Sequence, residues 1–171
     1  MALQRPFNFQ AWIDEHRHLL KPPVGNQQVF KTADDFIVMV VGGPNSRNDY
    51  HYNGTEELFY QLEGRMTLKV IEDGQPVDIP ISAGEMFLLP AGVPHSPQRE
   101  AGSIGLVIEK VRPAGMQDGF MWFCENCGHK LYEEYAEITD IVNQLPPIMR
   151  RFNDSEAHRT CGSCGTVMAA K

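Results

Sequence analysis

The sequence predicts an all-β barrel or sandwich with a helical arm at its N-terminus and a small metal-stapled segment at its C-terminus. Three observations carry this expectation. Between Phe30 and Lys110, short apolar segments recur at roughly ten-residue spacing, the rhythm of a sandwich or barrel. Glycine and proline are abundant, 15 and 12 of 171 residues, which favours many turns. All four cysteines fall into two C-x-x-C pairs. In a reducing compartment that spacing reads as metal ligation rather than a disulfide framework.

Residues 1–29 form the arm. Asn8 is placed to cap a helix from about Phe9 to Leu20, with Trp12, Ile13, His16, Leu19 and Leu20 on one face and His18 beside it. Lys21-Pro22-Pro23 ends it, because proline has no amide hydrogen to donate. Residues 30–111 form the β domain. Phe36–Val41 is a continuous apolar run, as expected of a strand covered on both faces, and Gly42–Asn45 is a turn. Glu57–Leu62, Met66–Ile71, Pro76–Ile81, Glu85–Pro90 and Ser103–Glu109 follow as strands. Asp73-Gly74 marks the hairpin between Met66–Ile71 and Pro76–Ile81. Residues 112–171 form the C-terminal segment. Arg112–Gly119 reads as a linker. The cysteine pairs then bracket a helix in which Ile138, Ile141, Val142 and Leu145 repeat at helical spacing, and Pro146-Pro147 ends it.

Fifteen basic residues against 22 acidic ones give a net charge of −7. Binding to a phosphate backbone runs on clustered Lys and Arg, so no nucleic-acid partner is expected. No apolar run approaches the roughly 18 residues of a membrane span. MALQRPFNFQ lacks the apolar core of a signal peptide, which points to the cytoplasm.

The β region contains Gly43, Asp49, His51, Glu57 and Gly64 as G-x5-D-x-H-x5-E-x6-G. It also contains Gly84, Pro90, Gly92, His95 and Arg99 as G-x5-P-x-G-x2-H-x3-R. These resemble the two cupin motifs. The second departs only at Arg99, where asparagine is usual. The first carries Asp49 in place of a histidine and one extra residue before the acid. Two imidazoles and one carboxylate facing one cavity leave coordination positions open and suit non-haem Fe(II). The candidate ligands are therefore His51, Glu57 and His95. The register set by Gly64 selects Glu57 over Glu56, and Glu57, Phe59 and Gln61 share a face; spacing alone leaves Glu56 open.

Arg47 lies four residues before His51, and Arg99 four after His95. On a regular strand each arginine projects to the same side as its histidine. Two guanidinium groups in an enclosed pocket call for an anion, and a carboxylate suits their fork geometry. Asp49 is read as a support for the site, holding Arg47. Glu109 shares parity with Gly105 and Val107; on an inward face it is a buried acid beside the metal, placed to move protons.

Cys124, Cys127, Cys161 and Cys164 supply four thiolates, a closed tetrahedral and hence structural set. Gly128 and Gly165 follow the pairs and allow tight turns. The knuckles are similar to those of rubredoxin, and sulfur ligation suits iron and zinc alike. His129 and His158 lie near the knuckles, where four cysteines already suffice.

Beyond the cupin fold, a double-stranded β-helix or jelly-roll barrel, the chain resembles the bacterial-type 3-hydroxyanthranilate 3,4-dioxygenases. The residues that carry this are Lys21–Asn26, Val40–His51, Glu56–Gly64, Phe87–Arg99, Ile108–Gly119 and the two knuckles, spread over nearly the whole chain. The resemblance implies Fe(II) held by His51, Glu57 and His95. It implies Arg47, Arg99 and Glu109 as substrate contacts, and Asn26 as part of the cover of the site. It implies a small aromatic acid and O2 as substrates, with the amino and hydroxyl groups on the metal and the carboxylate on the arginines. Both oxygen atoms enter 2-amino-3-carboxymuconate semialdehyde, which closes unaided to quinolinate. That places the enzyme in tryptophan catabolism by the kynurenine route and in NAD biosynthesis. Ring cleavage draws its electrons from the substrate, so the cysteine site, whether a second iron or zinc, is read as structural. By analogy the chain is a homodimer. Two other classes compete: a cupin that binds or isomerises a carboxylated ligand without oxygen, and a zinc-ribbon interaction module with the barrel as scaffold. Oxygen uptake on iron loading separates the first reading from these.

Overall fold

The computed structural model describes residues 5–22, 25–45, 47–139 and 141–171, with Ile141 and Val142 described by backbone alone. Pro23, expected to help end the first helix, and the side chains of Ile141 and Val142, expected on a helical face, lie outside the described residues. So do Val24 and Ser46, within the segments that carry the family resemblance.

Among the described residues, eleven strands make two antiparallel sheets. They are β1 (Asn26–Gln28), β2 (Phe36–Gly42), β3 (Asp49–Tyr52), β4 (Glu57–Glu63), β5 (Arg65–Glu72) and β6 (Gln75–Ser82). After them come β7 (Met86–Leu89), β8 (His95–Arg99), β9 (Ile104–Lys110), β10 (Asp118–Phe123) and β11 (Lys130–Ala136). One sheet runs β1-β2-β9-β4-β7 and the other β11-β10-β3-β8-β5-β6. Phe59, Leu89 and Val107 from the first meet Met66, Leu68, Val70 and Ile81 from the second in one apolar core. Two antiparallel sheets over one core make the all-β barrel or sandwich that the sequence predicts. Burying each such side chain contributes about 1.5–3 kcal/mol. No helix among the described residues is long and apolar enough to cross a membrane.

Several elements differ from the sequence expectation. The first helix, α1 (Phe9–His16), starts at the Asn8 cap, whose side chain accepts from Ala11 N at 2.9 Å. It stops at His16 and tightens into a 3-10 turn, Arg17–Leu19. The tighter winding exposes Leu19 while Ile13 and Leu20 stay buried against Val40 and Ile104. Phe36 is exposed and much of β2 only half-buried, so this strand is not covered on both faces.

The boundary expected at residue 111 does not separate two bodies. β10, from the segment read as linker and knuckle, pairs with β3 inside the six-stranded sheet. All but the last of its residues are buried. The helix expected to end at Pro146-Pro147 instead runs through them as α2 (Ile141–Asn153). Proline removes two amide donors there, but the C-terminal half is held by tertiary burial. Ile148 and Phe152 pack on Phe120 and Trp122, and the Trp122 and Phe152 rings stack 4.5 Å apart. A short helix, α3 (Glu156–Arg159), capped by Ser155, leads into the second knuckle.

Candidate metal centre and active site

β3, β4 and β8 bring His51, Glu57 and His95 to one place inside the barrel. Their ligand atoms all lie within 4.8 Å of one another. Alternation along β4 turns Glu57, Phe59 and Gln61 inward and leaves Glu56 exposed, so Glu57 is the acid in the cluster. His51 and His95 are register partners across β3 and β8, with ring centroids 5.2 Å apart.

His95 Nδ1 donates to the Val93 carbonyl at 3.0 Å. With Nδ1 donating, Nε2 is the ring nitrogen left to face the cluster. Nε2 sits 3.1 Å from Glu57 Oε2. Two electron-pair donors held that close in a buried site require a proton or a cation between them. The donor set fits a metal on this ground, and its two nitrogens and one oxygen leave positions open. The His95 imidazole, then His51 and Arg112, hold the Glu57 carboxyl below its ordinary range although burial pushes it up. Asn53, buried beside it, donates to Glu57 Oε2 at 3.4 Å.

The two arginines expected at the site are not equivalent. Arg99 is 5% exposed, among the described residues forms no ion pair, and has an Nε without a hydrogen-bond partner. Its one hydrogen bond runs from a terminal nitrogen to Gln61 Oε1 at 3.4 Å. Gly105 makes room for it, since a Cβ there would lie 2.5 Å from the guanidinium. Burial pushes its pKa down to about 10, against the pull of Glu57. Arg47 precedes β3 and folds back on Asp49. Burial works against its charge, yet the Asp49 carboxylate leaves its pKa raised.

Glu109 faces inward on β9, in register with Glu57 across the sheet. Burial, then the Glu57 carboxylate, raises its pKa, while Arg112 pulls it back. Asn26 is not among the residues that bond the donors in the described part of the structure. It opens the edge strand β1, exposed and in register with Val41. Asp118, which sequence reasoning missed, accepts from His51 Nε2 at 2.9 Å. Only its position at the start of an apolar run could have marked it.

The cysteines form a second cluster. Their sulfurs lie within 4.8 Å of one another, with Cys124–Cys164 and Cys127–Cys161 both at 3.6 Å. That is far beyond a disulfide bond. It matches the edge of a tetrahedron with metal–sulfur distances of about 2.3 Å. Gly128 and Gly165 adopt φ of 72° and 75° and donate back to Cys124 and Cys161 carbonyls, closing both turns. Two surface clefts of about 370 and 360 Å³ lie against the N-terminal arm, and neither borders either cluster.

Residues 1–153 match the family described as 3-hydroxyanthranilic acid dioxygenase; the second knuckle lies beyond the matched residues. A 3-hydroxyanthranilate 3,4-dioxygenase of Xanthomonas euvesicatoria pv. vesicatoria is 59% identical over 96% of this chain and 93% of its own length. One of Jannaschia sp. is 55% identical over 100% of this chain and 95% of its own. Among solved structures the likeness is looser. An RmlC-like cupin from Shewanella frigidimarina matches with TM-score 0.42 and 17% identity, over 52% of this chain and 77% of its own.

Proposed function

We propose a reaction for a chain that belongs to the 3-hydroxyanthranilic acid dioxygenase family: cleavage of the ring of 3-hydroxyanthranilate by O2 to give 2-amino-3-carboxymuconate semialdehyde. The atoms balance without a further reductant, because substrate plus both oxygens equals product. The observation that carries the reading is Arg99, a buried cation with no carboxylate of its own beside a buried three-donor cluster. Such a group is stabilised by an anionic ligand, and the substrate carboxylate is one.

His51, Glu57 and His95 hold Fe(II), which supplies redox and Lewis-acid chemistry when bound. Arg99 fixes the substrate carboxylate, with Gln61 orienting the guanidinium. Arg47, steadied by Asp49, adds a second cation on the side open to solvent. Glu109 takes the proton from the substrate hydroxyl or amine, a role that its raised pKa suits. Phe59 and Val107 close the apolar wall and exclude water.

Zinc or iron at the cysteine cluster holds the C-terminal segment. A semialdehyde of this kind closes to quinolinate and feeds NAD biosynthesis in the cytoplasm. A homodimer is supported by the outer face of the first sheet, where Met86, Leu88 and Phe36 are exposed beside Leu58, Tyr60 and Ile108. Anaerobic Fe(II) loading, then 3-hydroxyanthranilate and O2, tests the reaction. One O2 consumed per substrate with a transient absorbing product supports it; ligand binding without oxygen uptake refutes it.

A further inference from the structure

Arg112 stands in the segment between β9 and β10, yet its side chain is turned inward and only 14% exposed. Nε and one terminal nitrogen fork onto the two Asp118 oxygens, each at 3.2 Å. The other terminal nitrogen donates to Glu109 Oε2 at 2.5 Å. The Asp118 oxygen that takes one prong also accepts from His51 Nε2 at 2.9 Å. One guanidinium therefore touches the carboxylate behind a metal-binding histidine and the carboxylate that faces substrate.

This is not the geometry of an ordinary strand staple. Surface ion pairs that pin a loop are exposed and worth little. Here both carboxylates are buried, and each touches a group of the site. Glu109 and Asp118 are two buried acids, and Arg112 bonds both. A fork on one acid with the remaining nitrogen on another needs the planar guanidinium, which an ammonium cannot reproduce.

We propose that Arg112 is a positioning residue that links the two halves of the site. Through Asp118 it fixes the ring of His51, and through its third nitrogen it fixes the carboxylate of Glu109. The inference rests on the reaction proposed above. Histidine ligands depend on such outer partners, whose loss weakens metal binding 10–100-fold. Glu109 in turn meets substrate at a defined place only while its partner holds it.

The test compares wild type with Arg112→Gln, Arg112→Lys and Asp118→Asn, as full chains loaded with iron. Three quantities are read: Fe(II) affinity by competition with a ferrous chelator, KM and kcat for 3-hydroxyanthranilate at saturating iron, and Tm. Arg112→Gln weakens Fe(II) at least about tenfold and raises KM at least about tenfold, the loss of one charged hydrogen bond. Arg112→Lys restores KM, because a point charge still reaches Glu109, but not Fe(II) affinity, because the fork is gone. Asp118→Asn weakens Fe(II) with a smaller change in KM. A lower Tm with Fe(II) affinity and KM at wild-type values in all variants overturns the proposal and leaves a plain staple. If Arg112→Gln does not fold, the other two variants decide: weakened Fe(II) in both with KM near wild type supports the proposal, and wild-type Fe(II) affinity in both overturns it. A wild type that neither binds Fe(II) nor consumes O2 removes the functional reading, and this inference with it.

Discussion

His51, Glu57 and His95 come from three strands and sit inside the barrel among charged partners, whereas the four cysteines come from two turns and alternate between buried and exposed. The first cluster offers three donors of two kinds, the second four of one kind. An incomplete donor set leaves room for substrate; a complete one leaves none. The surroundings follow the same division. Around the histidines stand Arg99 without a countercharge and Glu109 with a raised pKa, arrangements that a fold made for stability alone would avoid. Around the sulfurs stand backbone turns closed by the Gly128 and Gly165 amides. On the proposed function, reaction and staple are thus assigned to separate clusters within one small chain.

The strongest way to break the comparison is at His95. His95→Ala removes the nitrogen opposite Glu57. Oxygen uptake is expected to fall by at least about 10³-fold, several kcal/mol of lost metal chemistry. Metal analysis should still find one ion per chain, at the cysteines. Turnover that survives the change would place the reaction elsewhere.

Arg99→Met comes next. It removes the cation but keeps most of the volume. kcat/KM should fall about 10²-fold, chiefly through KM, as one charged bidentate contact is lost. Tm should stay level or rise, because an uncompensated buried charge is replaced by an apolar chain. A fall in both would mean that Arg99 is a structural residue with a partner not among the described ones.

Cys161→Ser should give the opposite pattern. One metal ion is released and Tm drops by an amount on the order of 10 °C. kcat of the folded enzyme stays within about twofold. Loss of turnover at unchanged Tm would show the sulfur cluster taking part in electron flow, and the division drawn here would collapse.

Much of this architecture was legible in the sequence, for reasons that also explain what was not. β5 and β6 alternate apolar with polar residues, β4 and β9 carry short apolar runs, and Asp73-Gly74 joins a hairpin as its chemistry dictates. β3 and β8 read Asp-Tyr-His-Tyr and His-Ser-Pro-Gln-Arg. Their inward positions carry two histidines and a buried arginine, so the apolar alternation that betrays a strand is replaced by polar side chains. The motif spacing found His51, Glu57 and His95 where strand patterning was blind. Asp118 and Arg112 were hidden for a different reason. They lie in a Gly- and Pro-containing stretch that reads as linker, and only the pairing of β10 with β3 turns them inward. The helix through Pro146 was unreadable because local propensity argues against it and distant burial of Phe152 overrules it.

A last variant sharpens the contrast between charges that serve the site and charges that do not. Arg17 bonds both Glu63 oxygens, at 2.9 and 2.8 Å, and ties the N-terminal arm to β4. Unlike Arg99 it is paired, and both partners are more than a third exposed. Arg17→Ala should therefore lower stability by no more than about 1 kcal/mol and leave kcat and KM untouched. The pH dependence gives the sign. The bond to Arg17 holds the Glu63 carboxyl below its ordinary range, so the folded state binds that proton less tightly than the unfolded one. The contribution is complete above the unfolded value of about 4.3 and fades as pH falls through the lowered one. Urea midpoints of wild type and variant should differ at pH 7 and converge near pH 3. If the gap persists there, Arg17 steadies the arm through the packing of its aliphatic stem and not through the ion pair.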